Sequence, residues 1–182
     1  IREGAVGICG ARAAHDGRLW AETYGRISSI AVDPIEKKPV FHYCPGADVL
    51  SLGSVGCTMR CGHCQNWQIS RPKGDDGSVP LRTLEPAAVV ELAIRERCPG
   101  IAYTYNEPVI SLEYVLDVGR LAHERGLFNI MVTNGYVTEE GLDTFAEVVD
   151  VWRSDIKGFS EQTYRTLCHV RHPEAVRAAA GR

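Results

Sequence analysis

The sequence predicts an α/β fold, a parallel sheet or barrel preceded by a small β-rich lead-in, and three observations predict it. Beyond residue 48, short apolar runs alternate with amphipathic stretches in the rhythm strand, helix, strand, helix. The connections between them are short, which implies parallel strands joined by right-handed crossovers. Polar clusters recur directly after the strands, at the edge where parallel α/β enzymes place their sites.

The elements follow in order. Residues 1–48 are rich in turn signals and short β-prone stretches, at 19–24, 27–32 and 40–43, punctuated by Asp33-Pro34 and Lys38-Pro39. They are expected to form an N-terminal extension, with the core domain spanning 49–182. The first core strand, 49–55, runs into a cysteine loop, and a polar, glycine-containing loop covers 71–79. Pro86 suits the first turn of a helix over 86–97, and 101–105 is a β-prone run ending at Asn106-Glu107-Pro108. A longer helix over 109–125 is stopped by Gly126, and 128–133 forms a strand ending at Asn134-Gly135. Thr138 caps a helix with Glu139 and Glu140 in its first turn. The fourth core strand covers 151–157, and Ser160 starts a last helix through Tyr164 and Leu167.

Composition bounds the function. With 182 residues, 45% hydrophobic and 24% charged, the chain has the apolar content of one globular domain with a core. A formal net charge of -3 supplies no global positive field, so nucleic acid and anionic membranes are not expected partners. No apolar run approaches the roughly 20 residues needed to cross a bilayer, and no secretory signal opens the chain, so a cytoplasmic location is expected. Seven cysteines could suggest disulfides, but three are clustered and four (Cys9, Cys44, Cys98, Cys168) are scattered without paired spacing. That usage fits metal chemistry in a reducing compartment, with no second cluster. The chain opens on Ile1 and stops at Gly181-Arg182, as a fragment of a longer protein would.

The most specific signal is CxxxCxxC: Cys57, Cys61 and Cys64. Three thiolates on a loop carrying Gly53, Gly56 and Gly62 suit a [4Fe–4S] cluster with one iron free to bind a reactant. The alternative is structural zinc with His42, Cys44 or His63 as fourth ligand, although the usual second CxxC or His-x-His half is missing. Asn106 and Glu107 read either as a polar strand end or as a carboxylate poised at the rim for an ammonium or ribose hydroxyls. Asn134-Gly135 alone is a common turn. Asp155 and Lys157 share a strand face with Val151 and Arg153, either as a salt bridge or as ligand-engaging charges. Tyr103, Tyr105 and Trp67 are left as packing groups, and His123, His169 and His172 as solvated ones.

The run Cys57-Thr58-Met59-Arg60-Cys61-Gly62-His63-Cys64-Gln65-Asn66 resembles the cluster loop of radical S-adenosylmethionine (SAM) enzymes, close to the glycyl-radical activase branch that includes pyruvate formate-lyase activating enzyme. With Asp33-Pro34-Ile35-Glu36-Lys37-Lys38-Pro39, Thr104-Tyr105-Asn106-Glu107-Pro108, Val132-Thr133-Asn134-Gly135-Tyr136 and Asp155-Ile156-Lys157-Gly158-Phe159, it most resembles the AmmeMemoRadiSam-system proteins. The resemblance implies a partial parallel (β/α) barrel, truncated here after four βα units. It implies that Cys57, Cys61 and Cys64 ligate three irons while SAM chelates the fourth and is reductively cleaved to a 5′-deoxyadenosyl radical for hydrogen abstraction. Asn106 and Glu107 would hold the methionine amino group, Asn134 and the Asp155/Lys157 pair would meet the ribose and carboxylate, and His63 would meet adenine. The implied partners are SAM, an electron donor such as flavodoxin or ferredoxin, and a glycyl-radical or Memo-type protein. The rival readings are a non-catalytic zinc- or iron-binding module and an inactive truncated fragment.

Overall fold

The computed structural model describes residues 1–71 and 79–181, so most of the polar loop expected at 71–79 lies outside the described residues. The lead-in opens with a hairpin of β1 (Arg12–His15) and β2 (Arg18–Ala21). Its two turn residues, Asp16 and Gly17, both have positive φ, the geometry whose twist matches the flanking strands. Arg12 clasps Glu113 at 2.6 Å and so ties the hairpin to the core. A short strand β3 (Arg26–Ile27) pairs with β6 (Arg82–Thr83), and a one-turn helix α1 (Trp67–Ser70) comes before β6 in the chain.

Five strands form the central sheet in the order β4 (Ser29–Pro34), β5 (Asp48–Gly53), β7 (Gly100–Tyr103), β8 (Phe128–Thr133) and β9 (Val151–Ser154). The last four are parallel, as the βα rhythm predicts. β4 runs antiparallel to β5 through six residue pairs, so the expected lead-in contributes an edge strand to the core sheet. Among the described residues the sheet is open, with β4 and β9 at its edges.

The two faces differ. Leu50, Leu52, Ile101, Tyr103 and Met131 pack against helices α2 (Pro86–Arg95) and α3 (Leu112–Glu124), which lie on one face with Phe145 of α4 (Glu139–Phe145). Val49, Ala102 and Ile130 point to the other, where Ile35 and Val40 of the segment between β4 and β5 pack on them. That face leads into the site. Among the described residues no helix is long and apolar enough to cross a membrane.

Several element boundaries differ from expectation. Residues 40–43 form no strand, because Pro39 offers no backbone donor and Val40 is buried by packing against the sheet. The strand expected over 101–105 ends at Tyr103, and Tyr105 turns away at φ 70°. A 3₁₀ turn, Pro108–Ser111, precedes α3. The strand expected over 151–157 ends at Ser154, so Asp155 and Lys157 lie beyond it and not on a strand face. The helix expected from Ser160 through Leu167 is a short α5 (Glu161–Thr163) continued by a π-type turn Tyr164–Cys168, and a further helix that was not expected, α6 (Glu174–Ala180), follows it. The Thr138 and Ser160 caps form as expected, their side chains accepting from the N–H groups of Gly141 and Thr163.

Candidate functional site

At the C-terminal ends of the parallel strands lies an open cleft of about 440 Å³. All nine residues singled out in the sequence line it: Cys57, Cys61, His63, Cys64, Asn106, Glu107, Asn134, Asp155 and Lys157. His42 and Cys44, the other candidate zinc ligands, are exposed and do not line it.

The cysteine loop follows β5 and is held on both sides. Gly56 N–H donates to Ile69 O at 2.8 Å, and Cys57 N–H donates to Cys9 O at 3.2 Å. Arg60 N–H donates to Cys168 O at 2.9 Å and Gly62 N–H to Leu167 O at 2.8 Å, which pins the loop to the π-type turn. Met59 and Cys61 are buried there against Tyr164, Cys168, Val170 and Val176. Gly56 sits at φ 95°, and a Cβ on it would lie 2.4 Å from Cys9 O and 2.9 Å from Ile110 Cδ1. Gly56→Ala is therefore expected to lower stability by at least about 1–3 kcal/mol, the cost of a strained backbone, with the clash adding to it. A thermal unfolding midpoint equal to wild type would refute this.

Burial, and then the charge of Glu107, push the Cys57 thiol up to about 12, with the Met59 N–H opposing at 3.3 Å from Sγ. Cys168, fully buried, lies against Cys61; burial and then that neighbour push its thiol up to about 12. Among the described residues no group of three His, Cys, Asp or Glu side chains is gathered to hold a metal ion. The donor chemistry nevertheless suits an iron–sulfur cluster. Three thiols line one cleft, and Asn134 Nδ2, at 3.6 Å from Cys57 Sγ, joins Met59 N–H as a donor toward sulfur.

The strand-end residues brace this loop. Asn106 Oδ1 accepts from Ser54 N–H at 2.9 Å and its Nδ2 donates to Gly56 O at 3.1 Å. Glu107 is buried and takes three donors: Thr133 Oγ1 at 2.6 Å, Asn134 N at 2.9 Å and Val109 N at 3.1 Å. Burial raises its carboxyl above the ordinary value, and these donors and Lys157 only partly oppose it. Asn134 Nδ2 reaches Thr58 Oγ1 at 3.0 Å while its Oδ1 accepts from Tyr136 N–H. Asp155 lies between Arg153 and Lys157, pairing with both, the latter at 2.8 Å. Lys157 N–H in turn donates to the hydroxyl of buried Tyr164 at 3.1 Å.

Residues 52–181 match the model of the radical SAM superfamily, more than two thirds of the chain. The chain belongs to the radical SAM superfamily. Members of this superfamily are enzymes that generally use SAM and a [4Fe–4S] cluster, and the domain implies SAM-cleavage chemistry in general. The chain is 46% identical over 168 residues to the uncharacterized protein MJ0808 of Methanocaldococcus jannaschii, covering 92% of this chain and 49% of MJ0808. It is 25% identical over 122 residues to the uncharacterized protein MJ0674 of the same organism, covering 64% of this chain and 35% of that one. The chain thus spans about half the length of MJ0808 and about a third of MJ0674. A structure of TYW1 with a lysine-pyruvate adduct bound superimposes with a TM-score of 0.50 at 16% identity, over 82% of this chain and 59% of that one, a likeness of fold.

The cleft also contains residues that sequence reasoning gave no role. Lys37 and Lys38 line the cleft, held by buried Asp33 at 2.6 and 2.7 Å. Tyr105, left as a packing group, donates its hydroxyl to Asp33 Oδ2 at 2.7 Å, and its ring packs over Gly53, where a Cβ would lie 2.9 Å from it. Burial opposes ionisation of Asp33, but the two ammonium groups and the Tyr105 hydroxyl outweigh it and hold the carboxyl well below its ordinary range. Cys168, read as scattered, is the buried neighbour of Cys61. Asp33, Lys37 and Lys38 stand in one of the runs that carry the resemblance and Tyr105 in another, but nothing in either run shows that the four side chains meet across 72 residues.

Proposed function

We propose that this protein is a radical SAM enzyme in which Cys57, Cys61 and Cys64 hold a [4Fe–4S] cluster and SAM binds in the cleft beside them. The reading is supported by one observation above the others: the CxxxCxxC loop of a superfamily member opens onto the same cleft as every strand-end polar residue. When bound, the cluster supplies the electron that cleaves a carbon–sulfur bond of SAM to give methionine and a 5′-deoxyadenosyl radical.

The chain's own residues bind, orient and shield. A carboxylate offers about four acceptor positions, and Glu107 commits three to this chain, which leaves one on Oε2 for the SAM ammonium. Arg153 and Lys157 outnumber Asp155 and so leave positive charge for the methionine carboxylate. Asn134 faces the ribose and His63, exposed on the loop, faces adenine. Asn106 keeps the loop in register with β7, since both ends of its amide are bound to loop backbone.

The finer proposals follow the resemblance. The sheet is part of a partial (β/α) barrel. The reaction is hydrogen abstraction, in the activase case from a glycine of a partner protein, in the other from a Memo-type partner or small molecule. Flavodoxin or ferredoxin supplies the electron, and the cytoplasm is the setting. Anaerobic reconstitution followed by SAM and a strong reductant is expected to give absorbance near about 400 nm and 5′-deoxyadenosine. Colourless protein that holds zinc and yields no 5′-deoxyadenosine would establish the non-catalytic metal-binding module instead.

A further inference from the structure

The stretch from Asp33 to Pro39 is used neither by the cysteine loop nor by the proposed SAM contacts, yet Lys37 and Lys38 both line the cleft. The Lys38 side chain is only 3% exposed. Burying an ammonium is costly, and an apolar residue would fill the same space without that penalty. The fold keeps a charge on the cleft wall instead.

That charge is not fully neutralised. Asp33 Oδ1 takes Lys37 and Asp33 Oδ2 takes both Lys38 and the Tyr105 hydroxyl, so two cations share one carboxylate. The arrangement across the cleft is the same, with Arg153 and Lys157 sharing Asp155. The two groups belong to opposite ends of the sheet, one after edge strand β4 and one after edge strand β9. One anionic group has been assigned to the β9 side; the β4 side has none.

The β4 group is also rigidly keyed to the cysteine loop. Tyr105 adopts a left-handed backbone that bulky residues avoid, and two bonds hold it there: its hydroxyl to Asp33, and its carbonyl accepting Asn66 Nδ2 at 2.7 Å, two residues past Cys64. The Lys38 ammonium rests 4.8 Å from the centre of the Tyr105 ring, which fixes it further. Lys37, with a side chain 65% exposed, can turn from Asp33 to a ligand.

We infer that Lys37 and Lys38 form a second anion subsite, which takes a carboxylate or phosphate group of the second substrate. The identity of that molecule as the second substrate rests on the radical SAM reading of the cleft; the anion binding itself does not. Equilibrium dialysis of the whole chain with malonate or inorganic phosphate, with and without SAM, tests it, the two probes separating the carboxylate source from the phosphate source. One probe is expected to bind once per chain and to stay bound when SAM is added. Lys37→Gln is expected to weaken that probe roughly tenfold to a hundredfold, as loss of a charge-assisted hydrogen bond does, and to leave SAM affinity within about twofold. Lys157→Gln is expected to weaken SAM and spare the probe. Binding of neither probe, unchanged probe affinity in Lys37→Gln, or competitive displacement of the probe by SAM would overturn the subsite. If SAM fails to bind while the probe binds and responds to Lys37→Gln, the subsite stands and the SAM reading falls.

Discussion

Cys61→Ala is expected to leave the protein folded and strip it of its iron. The thiol is buried against Met59, Tyr164 and Cys168, so its removal costs stability on the order of 1 kcal/mol from lost burial. The loop's position does not depend on that side chain. It is set by the backbone bonds of Arg60 and Gly62 to the π-type turn and of Cys57 to Cys9. What the variant loses is one of the three sulfur donors that line the cleft. Cys168 is the nearest substitute, but it sits at zero exposure behind the loop. Iron content after anaerobic reconstitution, read beside a far-ultraviolet melting curve, is the measurement. Cys98→Ala, which removes a thiol from the helix-facing core, is expected to keep its iron. Wild-type iron in Cys61→Ala would remove the basis for the cluster.

The parallel sheet and the location of the site were legible because both rest on local signals. The β-prone runs read at 101–105, 128–133 and 151–157 do contain strands, although the first and last end at Tyr103 and Ser154. The placement of Asn106, Glu107, Asn134 and Asp155 on one rim then follows from parallel pairing alone. The β4 edge was not legible, since an antiparallel partner for β5 is chosen by long-range pairing across the 35–47 segment. The end of β9 was misjudged for an electrostatic reason: a strand face carrying Arg153, Asp155 and Lys157 is relieved when the chain leaves the sheet and Asp155 sits between the two cations.

Least legible was the division of labour within the site. Asn106, Glu107 and Asn134 were singled out as ligand contacts, and the structure shows that each also spends half or more of its side-chain hydrogen-bonding capacity on the chain itself. A sequence shows which polar residues share a rim but not which backbone groups they satisfy. Lys38 was hidden in the same way. Lys38-Pro39 reads as punctuation ahead of a β-prone stretch at 40–43, and the tertiary contact with Asp33 and Tyr105 is what reveals a buried cation.

The largest loss of stability is expected at Glu107, because three elements converge on its carboxyl group. Val109 begins the turn into α3, Thr133 ends β8 and Asn134 opens the loop after it, and all three donate to this one buried side chain. Glu107→Leu fills the space and leaves those donors unpaired, at an expected cost of about 3 kcal/mol or more. Glu107→Gln is expected to cost less, since the amide carbonyl still accepts while its NH₂ meets at least one opposing N–H. Urea unfolding should report both as lower midpoints with unchanged slopes. The carboxyl adds a pH signature. Burial raises it above its ordinary value, so its contribution is full at low pH and is lost as pH rises through the folded-state value. The stability difference between wild type and Glu107→Gln should therefore shrink as pH rises from about 4. A constant difference across that range would mean that burial does not raise the carboxyl, and a Glu107→Leu protein as stable as wild type would mean that the three donors find other partners and that Glu107 does not hold the strand ends together.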